Sequence, residues 1–203
     1  MALTIYGSPR SRTMRVLWMA AELGLDFEHV PHAFDEPALK QPDFLAINPA
    51  GAVPAIDDDG FGLSESLAIN LYLAKRYGSA GTTPLYPTSL EGEAVVWRWS
   101  LWAQAHLEPW VQRDALLADL RAAIGAHAEG MVAPALKMLD ATAAKRPWLV
   151  GDHFTVGDLN VAAVLSPSRA EHLDFTNLPH VRDWLSRCYD RPAARATRQR
   201  FQG

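Results

Sequence analysis

Every strand-like run in this 203-residue chain lies before residue 64, and everything after residue 87 reads as helix. That division constrains the fold more than any single motif. Leu3 to Tyr6 is a short run of β formers, broken by Gly7-Ser8-Pro9-Arg10. From Ser11, a candidate cap, Val16, Leu17, Ala20, Ala21 and Leu23 give one apolar helix face, and Gly24 suits its end. Phe27 to His32 is a second strand. Glu36 to Ile47 reads as a loop with an irregular helix, interrupted by Pro37 and Pro42. Val53 to Asp57 is a third strand, Asp58-Asp59-Gly60 a hairpin turn, and Phe61 to Leu63 a fourth strand. Glu65 to Tyr77 is a helix closed by Gly78. The order β-α-β-α-β-β-α predicts a compact α/β domain over residues 1–78, its first two strands parallel through a right-handed crossover.

Residues 79–87, with small side chains and two prolines, read as a linker. Residues 88–203 read as an all-α domain. Glu91 to His106 is a helix that Pro109 kinks or ends. Leu116 to His127 and Met131 to Lys145 read as two more. Thr155 and Asp158 have capping-box spacing before a buried helix, Leu159 to Leu165. A last helix, Val181 to Tyr189, turns Val181, Trp184, Leu185 and Cys188 inward.

The net charge of −4 supplies no basic field, so nucleic acid is not an expected partner. No secretory signal and no apolar run of spanning length are visible, so no membrane association is expected. One cysteine, Cys188, excludes an internal disulfide and a dithiol redox pair and favours a reducing, cytoplasmic setting.

Four places carry possible chemistry. Val53-Pro54 lies in a strand where proline cannot donate to the ladder, so the strand is read there as an edge or a bend. A cis bond would turn the Val53 backbone outward for pairing with an extended peptide; an ordinary trans proline is the plainer alternative. Glu65-Ser66 opens a helix, where a hydroxyl and amides suit a carboxylate and the acid suits an ammonium; simple capping is the alternative. Lys40 suits a second carboxylate, or is a solvated lysine. Ser11, with Arg10, Arg12 and Arg15 nearby, suits a thiolate, or is a cap.

In combination these residues resemble the cytosolic glutathione transferase family, including its serine-type bacterial members. The resemblance runs through Tyr6-Gly7-Ser8-Pro9 with Ser11 and Arg15-Val16-Leu17, residues 44–54 up to Val53-Pro54, residues 63–69 around Glu65-Ser66, residues 148–159, and residues 178–184 with 191–193. It implies a thioredoxin-like first domain, an all-α second domain, a cytoplasmic homodimer and a role in detoxification. It implies a cis Pro54, Val53 pairing with the cysteinyl part of glutathione, and Glu65 and Ser66 holding the γ-glutamyl head. Lys40 stands where some classes bind the glycine carboxylate. Thr155 and Asp158 match the family's helix-capping motif.

Two positions depart from the pattern. Ala52 replaces the Lys or Gln that many members carry. The usual serine position, six residues before Val16, is Arg10, so Ser11 is chosen as the thiol-activating residue, with Ser8 and Tyr6 as alternatives. Trp99, Trp102, His106 and Trp110 recur at about one-turn spacing on a helix that borders the electrophile pocket in the family, which nominates Trp102, His106 and Trp110. His29 and His32 read as surface residues, and no metal is expected. The implied activity is conjugation of glutathione to small apolar electrophiles. A non-catalytic glutathione-binding scaffold and a glutathione-dependent isomerase or dehalogenase remain alternatives.

Overall fold

The computed structural model describes residues 2–79, 84–111, 118–170 and 173–202. The middle of the expected linker, residues 80–83, and the start of the helix expected from Leu116 lie outside the described residues. In chain order the elements are β1 (Leu3–Tyr6), α1 (Thr13–Glu22), β2 (Glu28–Val30), a 3-10 turn (Pro37–Lys40), α2 (Pro42–Ile47), β3 (Ala55–Asp58), β4 (Phe61–Ser64) and α3 (Ser66–Tyr77). Then follow α4 (Leu90–Trp102), a π turn (Ala103–Leu107), α5 (Glu108–Val111), α6 (Ala118–Ala143), α7 (Val156–Val164), α8 (Pro167–Ala170), α9 (Pro179–Tyr189) and α10 (Pro192–Gln202). They form two compact units, Met1–Tyr86 with Asp190–Gly203, and Pro87–Tyr189.

In the first unit the sheet order is β2-β1-β3-β4. β1 runs parallel to β2 and antiparallel to β3, which is antiparallel to β4. Ile5 pairs with Ile56 and Tyr6 with Ala55, so strand alternation sends these pairs to opposite faces. Ile5 and Ile56 are fully buried, as are Val16, Leu17, Met19 and Ala20 of α1 and Ile69 and Leu73 of α3. Tyr6 and Ala55 belong instead to a cluster with Leu39, Phe44, Ile47 and Val53. Asp59 and Gly60, with φ of 54° and 88°, make the turn between β3 and β4.

The structure revises the reading of Val53-Pro54. β3 begins at Ala55 and lies between β1 and β4, so it is an interior strand. Pro54 precedes it and removes no ladder donor. A helix not expected from the sequence, α10, packs on α1 within the first unit. Arg191 donates from Nε and NH2 to the Glu22 carboxylate at 2.9 and 2.7 Å, a two-pronged charge-assisted contact.

In the second unit, Leu116 to His127 and Met131 to Lys145 are not separate helices. α6 runs from Ala118 to Ala143 through Pro134. Burial of Val132, Leu136, Leu139 and Ala143 along one side offsets the hydrogen bond that Pro134 removes. α7 is buried throughout and opens with the capping box of Thr155 and Asp158. The Asp158 carboxylate also accepts from the Leu149 amide at 2.8 Å and from Trp184 Nε1 at 3.0 Å. Burial pushes the Asp158 carboxyl up, and these donors oppose that shift.

Candidate functional site

The approach to Val53 is built by a buried asparagine. Asn48 Oδ1 accepts from the Ala50 amide at 3.2 Å, and its Nδ2 donates to the Ala52 carbonyl at 2.7 Å. This side-chain turn fixes residues 48–52 without a strand or helix. Gly51 adopts φ of 58°. A Cβ there would stand 2.7 Å from Lys40 Nζ and 2.8 Å from the Leu39 carbonyl, so only glycine fits. Lys40 is exposed but anchored: its ammonium donates to the Gly51 carbonyl at 2.8 Å and the Ala50 carbonyl at 3.3 Å. The Val53–Pro54 peptide bond is cis.

Glu65 joins β4 to α3 with φ of 69°, exposed and in a region that costs a non-glycine residue about 1–3 kcal/mol. Its side chain makes no capping hydrogen bond. Ser66 is the first helical residue and is buried, so it is not the cap. Its hydroxyl accepts from Arg15 NH1 at 3.4 Å. Arg15 is also buried, on the inward side of α1 beside Val16 and Leu17. By sequence alone Arg15 adds only a general positive potential; a charged residue on an apolar helix face is the signal of something more specific.

The three hydroxyl candidates, Tyr6, Ser8 and Ser11, lie on either side of Gly7 in the chain. Gly7 has φ of 127°; its amide donates to the Val30 carbonyl at 2.8 Å, and its own carbonyl accepts from His29 Nε2 at 2.9 Å. A Cβ on Gly7 would collide with Thr13 Oγ1 and stand 2.8 Å from Val53 Cβ. The missing side chain therefore lets the first turn of α1 approach the Val53 loop. α1 begins at Thr13, two residues later than Ser11, and its N-cap residue, Arg12, makes no side-chain cap. The Ser11 hydroxyl donates to the Ser8 carbonyl at 2.7 Å, accepts from the Thr13 amide at 3.1 Å and contacts Thr13 Oγ1 at 2.8 Å. Thr13 is fully buried, and sequence reasoning passed over it. Ser8 Oγ accepts from the Arg10 amide at 3.3 Å. Tyr6 is set in the other face of the sheet, stacked on His32 at 6.3 Å and edge-on to Phe44 at 5.6 Å. Burial, then the charge of Asp57, pushes the Tyr6 phenol up.

His29 and His32 are half-buried packing residues rather than surface ones. His29 faces Phe201 of α10 at 5.3 Å, and His32 Nδ1 lies 3.1 Å from the Glu36 carboxylate. Among the described residues, no group of three or more His, Cys, Asp and Glu side chains is placed to hold a metal.

In the helical unit, Trp99 is fully buried and donates from Nε1 to the Leu149 carbonyl at 3.2 Å, which makes it core. Half-buried Trp102 stands edge-on to Trp99 at 5.2 Å, and exposed His106 lies 6.4 Å from Trp102. The π turn separates Trp102 from half-buried Trp110. It closes with the Glu108 amide bonded to the Ala103 carbonyl, just before Pro109, which brings no amide of its own.

Residues 1–75 match the glutathione S-transferase N-terminal domain family, and residues 104–192 match the C-terminal domain family. Glutathione S-transferase 3 of Zea mays is 36% identical over an alignment covering 96% of this chain and 92% of that protein. The chain belongs to the glutathione S-transferase family. Glutathione S-transferase GstB of Escherichia coli is 32% identical over 95% of this chain and 96% of its own length. A solved structure of glutathione S-transferase III in its apo form superposes with a TM-score of 0.81 at 34% identity, covering 99% of this chain and 97% of that one. The two-unit architecture, an α/β thioredoxin-like unit and a helical unit, is that of the transferase family. The N-terminal match spans Tyr6, Ser8, Ser11, Lys40, Val53, Pro54, Glu65 and Ser66, and the C-terminal match takes in His106 and Trp110.

Proposed function

We propose that this family member is a glutathione transferase that conjugates the glutathione thiolate to small apolar electrophiles. What supports the reading is the presence, within one unit, of a Lys40-anchored loop ending at Val53-Pro54, a Ser66 hydroxyl backed by buried Arg15, and a Ser11 hydroxyl in contact with Thr13, whose own hydroxyl borders the Val53 side chain at Gly7.

The roles follow from charge and hydrogen-bonding capacity. The Val53 backbone pairs with the cysteinyl part of the tripeptide. Ser66, at the start of α3, takes the γ-glutamyl carboxylate, favoured by the helix N-terminus and the Arg15 guanidinium. Exposed Glu65 takes the ammonium beside it. Lys40 has three N–H donors, two of them on loop carbonyls, and offers the third to the glycine carboxylate. Pro54 holds the loop that presents Val53.

Ser11 donates to the thiol sulfur and favours the thiolate, the nucleophilic form. The sulfur forms a bond to an electrophilic carbon, the thiol proton passes to solvent, and in a substitution the leaving group departs with its bonding pair. Positioning the two reactants supplies the rest of the acceleration. Trp102, His106 and Trp110 of the helical unit are the candidates for aromatic surface that receives the apolar electrophile, and the conjugation serves detoxification.

The transferase works as a homodimer in the cytoplasm. Leu90, Trp97 and Leu101, at 77%, 50% and 68% exposure, line one side of α4 and supply an apolar surface for a second copy. The lone buried Cys188 suits a reducing compartment. Retention on immobilised glutathione, followed by turnover with chlorodinitrobenzene, tests the function. Formation of the thioether with equal loss of glutathione is the expected result. Binding without turnover would make the chain a scaffold, and turnover of other substrates with glutathione unconsumed would make it an isomerase.

A further inference from the structure

We propose that Thr13 is a positioning residue for the thiol-activating hydroxyl, holding the Ser11 oxygen so that its one proton is free to turn to the glutathione sulfur. The inference rests on the reading of Ser11 as the thiol-activating residue. A serine hydroxyl has one proton and two lone pairs. In this structure the Ser11 proton lies toward the Ser8 carbonyl at 2.7 Å. The 2.8 Å contact between Ser11 Oγ and Thr13 Oγ1 needs one proton, so Thr13 supplies it. The Thr13 amide donates to the same oxygen at 3.1 Å. Thr13 therefore places two donors on Ser11 Oγ, one from its backbone and one from its side chain.

Two consequences follow. An oxygen that accepts two hydrogen bonds is a stronger donor through its own O–H, because the bonds polarise one another. The oxygen also stays in place when its proton rotates from the Ser8 carbonyl to a sulfur, since neither Thr13 contact involves that proton. Thr13 is itself held. It is fully buried, and Gly7 carries no side chain to displace its hydroxyl; Val53 Cβ borders the same vacant Cβ position of Gly7. The orientation of Ser11 is thereby tied to the Val53 loop, where the cysteinyl backbone is to pair.

The test compares Thr13→Val, which removes the hydroxyl and keeps the shape, with Thr13→Ser, Thr13→Ala, Ser11→Ala and the double variant Ser11→Ala/Thr13→Val. The readouts are the apparent pKa of enzyme-bound glutathione, from the ultraviolet absorbance of the thiolate, and kcat and KM. Thr13→Val is expected to raise the bound thiol pKa by about half a unit to one unit and lower kcat by roughly three- to tenfold. KM for glutathione should stay within about twofold, since the recognition residues are untouched. Thr13→Ser should restore both values. In the Ser11→Ala background, Thr13→Val should change the thiol pKa no further. Should Thr13→Val fail to fold, Thr13→Ala carries the same expectation. A normal thiol pKa in folded Thr13→Val or Thr13→Ala, alongside a raised one in Ser11→Ala, overturns the inference and leaves the Ser11 reading standing. Additive shifts in the double variant also overturn it, by showing that Thr13 acts without Ser11. An unshifted pKa in Ser11→Ala removes the Ser11 reading and this inference with it.

Discussion

Lys40 Nζ sits 2.8 Å from the Gly51 carbonyl, tying the 3-10 turn to the loop that delivers Val53. An exposed lysine is ordinarily solvated; here Lys40 holds the loop, and the proposed function gives its remaining donor to the tripeptide. Lys40→Met should raise KM for glutathione about tenfold and leave kcat within a factor of two, because binding is lost equally from ground and transition states. Steady-state kinetics with glutathione varied checks this. A fall in kcat alone would place Lys40 outside the binding site.

Ser66→Ala removes the hydroxyl that accepts from Arg15 NH1 and, with it, the O–H donor offered to the γ-glutamyl carboxylate at the start of α3. Glutathione affinity, measured by calorimetry, should fall about tenfold or more, in line with a charge-assisted hydrogen bond of roughly 1.5–3 kcal/mol. The γ-glutamyl end reports the site directly: a tripeptide lacking that residue's ammonium should bind equally poorly to Glu65→Gln and to the unaltered protein. Discrimination retained in Glu65→Gln would move the ammonium contact elsewhere.

Asp158 satisfies the Leu149 amide, Trp184 Nε1 and the Thr155 amide inside the helical unit. Asp158→Ala orphans these buried donors, each at about 1–3 kcal/mol, so an overall loss of about 3 kcal/mol or more is expected. Urea unfolding should show it as a lower midpoint. Thr155→Val, which leaves the carboxylate in place, should cost about 1 kcal/mol. Equal costs for the two would mean that the cap alone, not the wider network, stabilises this unit.

The Tyr77 phenol is pushed up to about 12 by burial first and then by its hydrogen bond to Asp58. The same carboxylate accepts from Tyr72 at 2.8 Å and pairs with Arg76 at 3.3 Å. The folded chain keeps the Tyr77 proton longer than the unfolded chain does. Its contribution to stability is complete below the ordinary tyrosine value of 10 and is lost as pH rises from 10 to about 12. Tyr77→Phe should lower stability at neutral pH and flatten the alkaline fall, measured by denaturant midpoints across that window. An unchanged alkaline slope would refute the Tyr77–Asp58 linkage.

Local chemistry made much of this fold legible. β formers at Leu3–Tyr6 and the Asp59-Gly60 turn each sit in the structure about where the sequence puts them, because both depend on near neighbours. What the sequence concealed depends on distance or context. Arg15 and Ser66 are 51 residues apart, and nothing local pairs them. Thr13 looked like an ordinary first-turn residue until Gly7 and Ser11 closed around it. The Val-Pro step reads as part of a strand because Val53 and Ile56 are β formers, whereas the ladder starts at Ala55, two residues after Val53. α10 escaped notice because its sequence is rich in arginine; its inward side is little more than Ala194 and Thr197, and its anchor is the ion pair from Arg191 to Glu22. The two helices expected on either side of residues 128–130, where Gly130 weakens the pattern, are one helix, α6, because tertiary burial along one side overrides that local preference.

The proposed function requires this chain to bind glutathione and to lower the pKa of its thiol through the Ser11 hydroxyl. Ultraviolet titration of the glutathione complex measures that pKa directly. The thiolate is expected to form at least about one unit below the ordinary thiol value of roughly 8.5, with a return toward that value in Ser11→Ala while glutathione stays bound. A complex whose thiol titrates at the ordinary value, or a Ser11→Ala complex with the shift intact, would contradict that expectation.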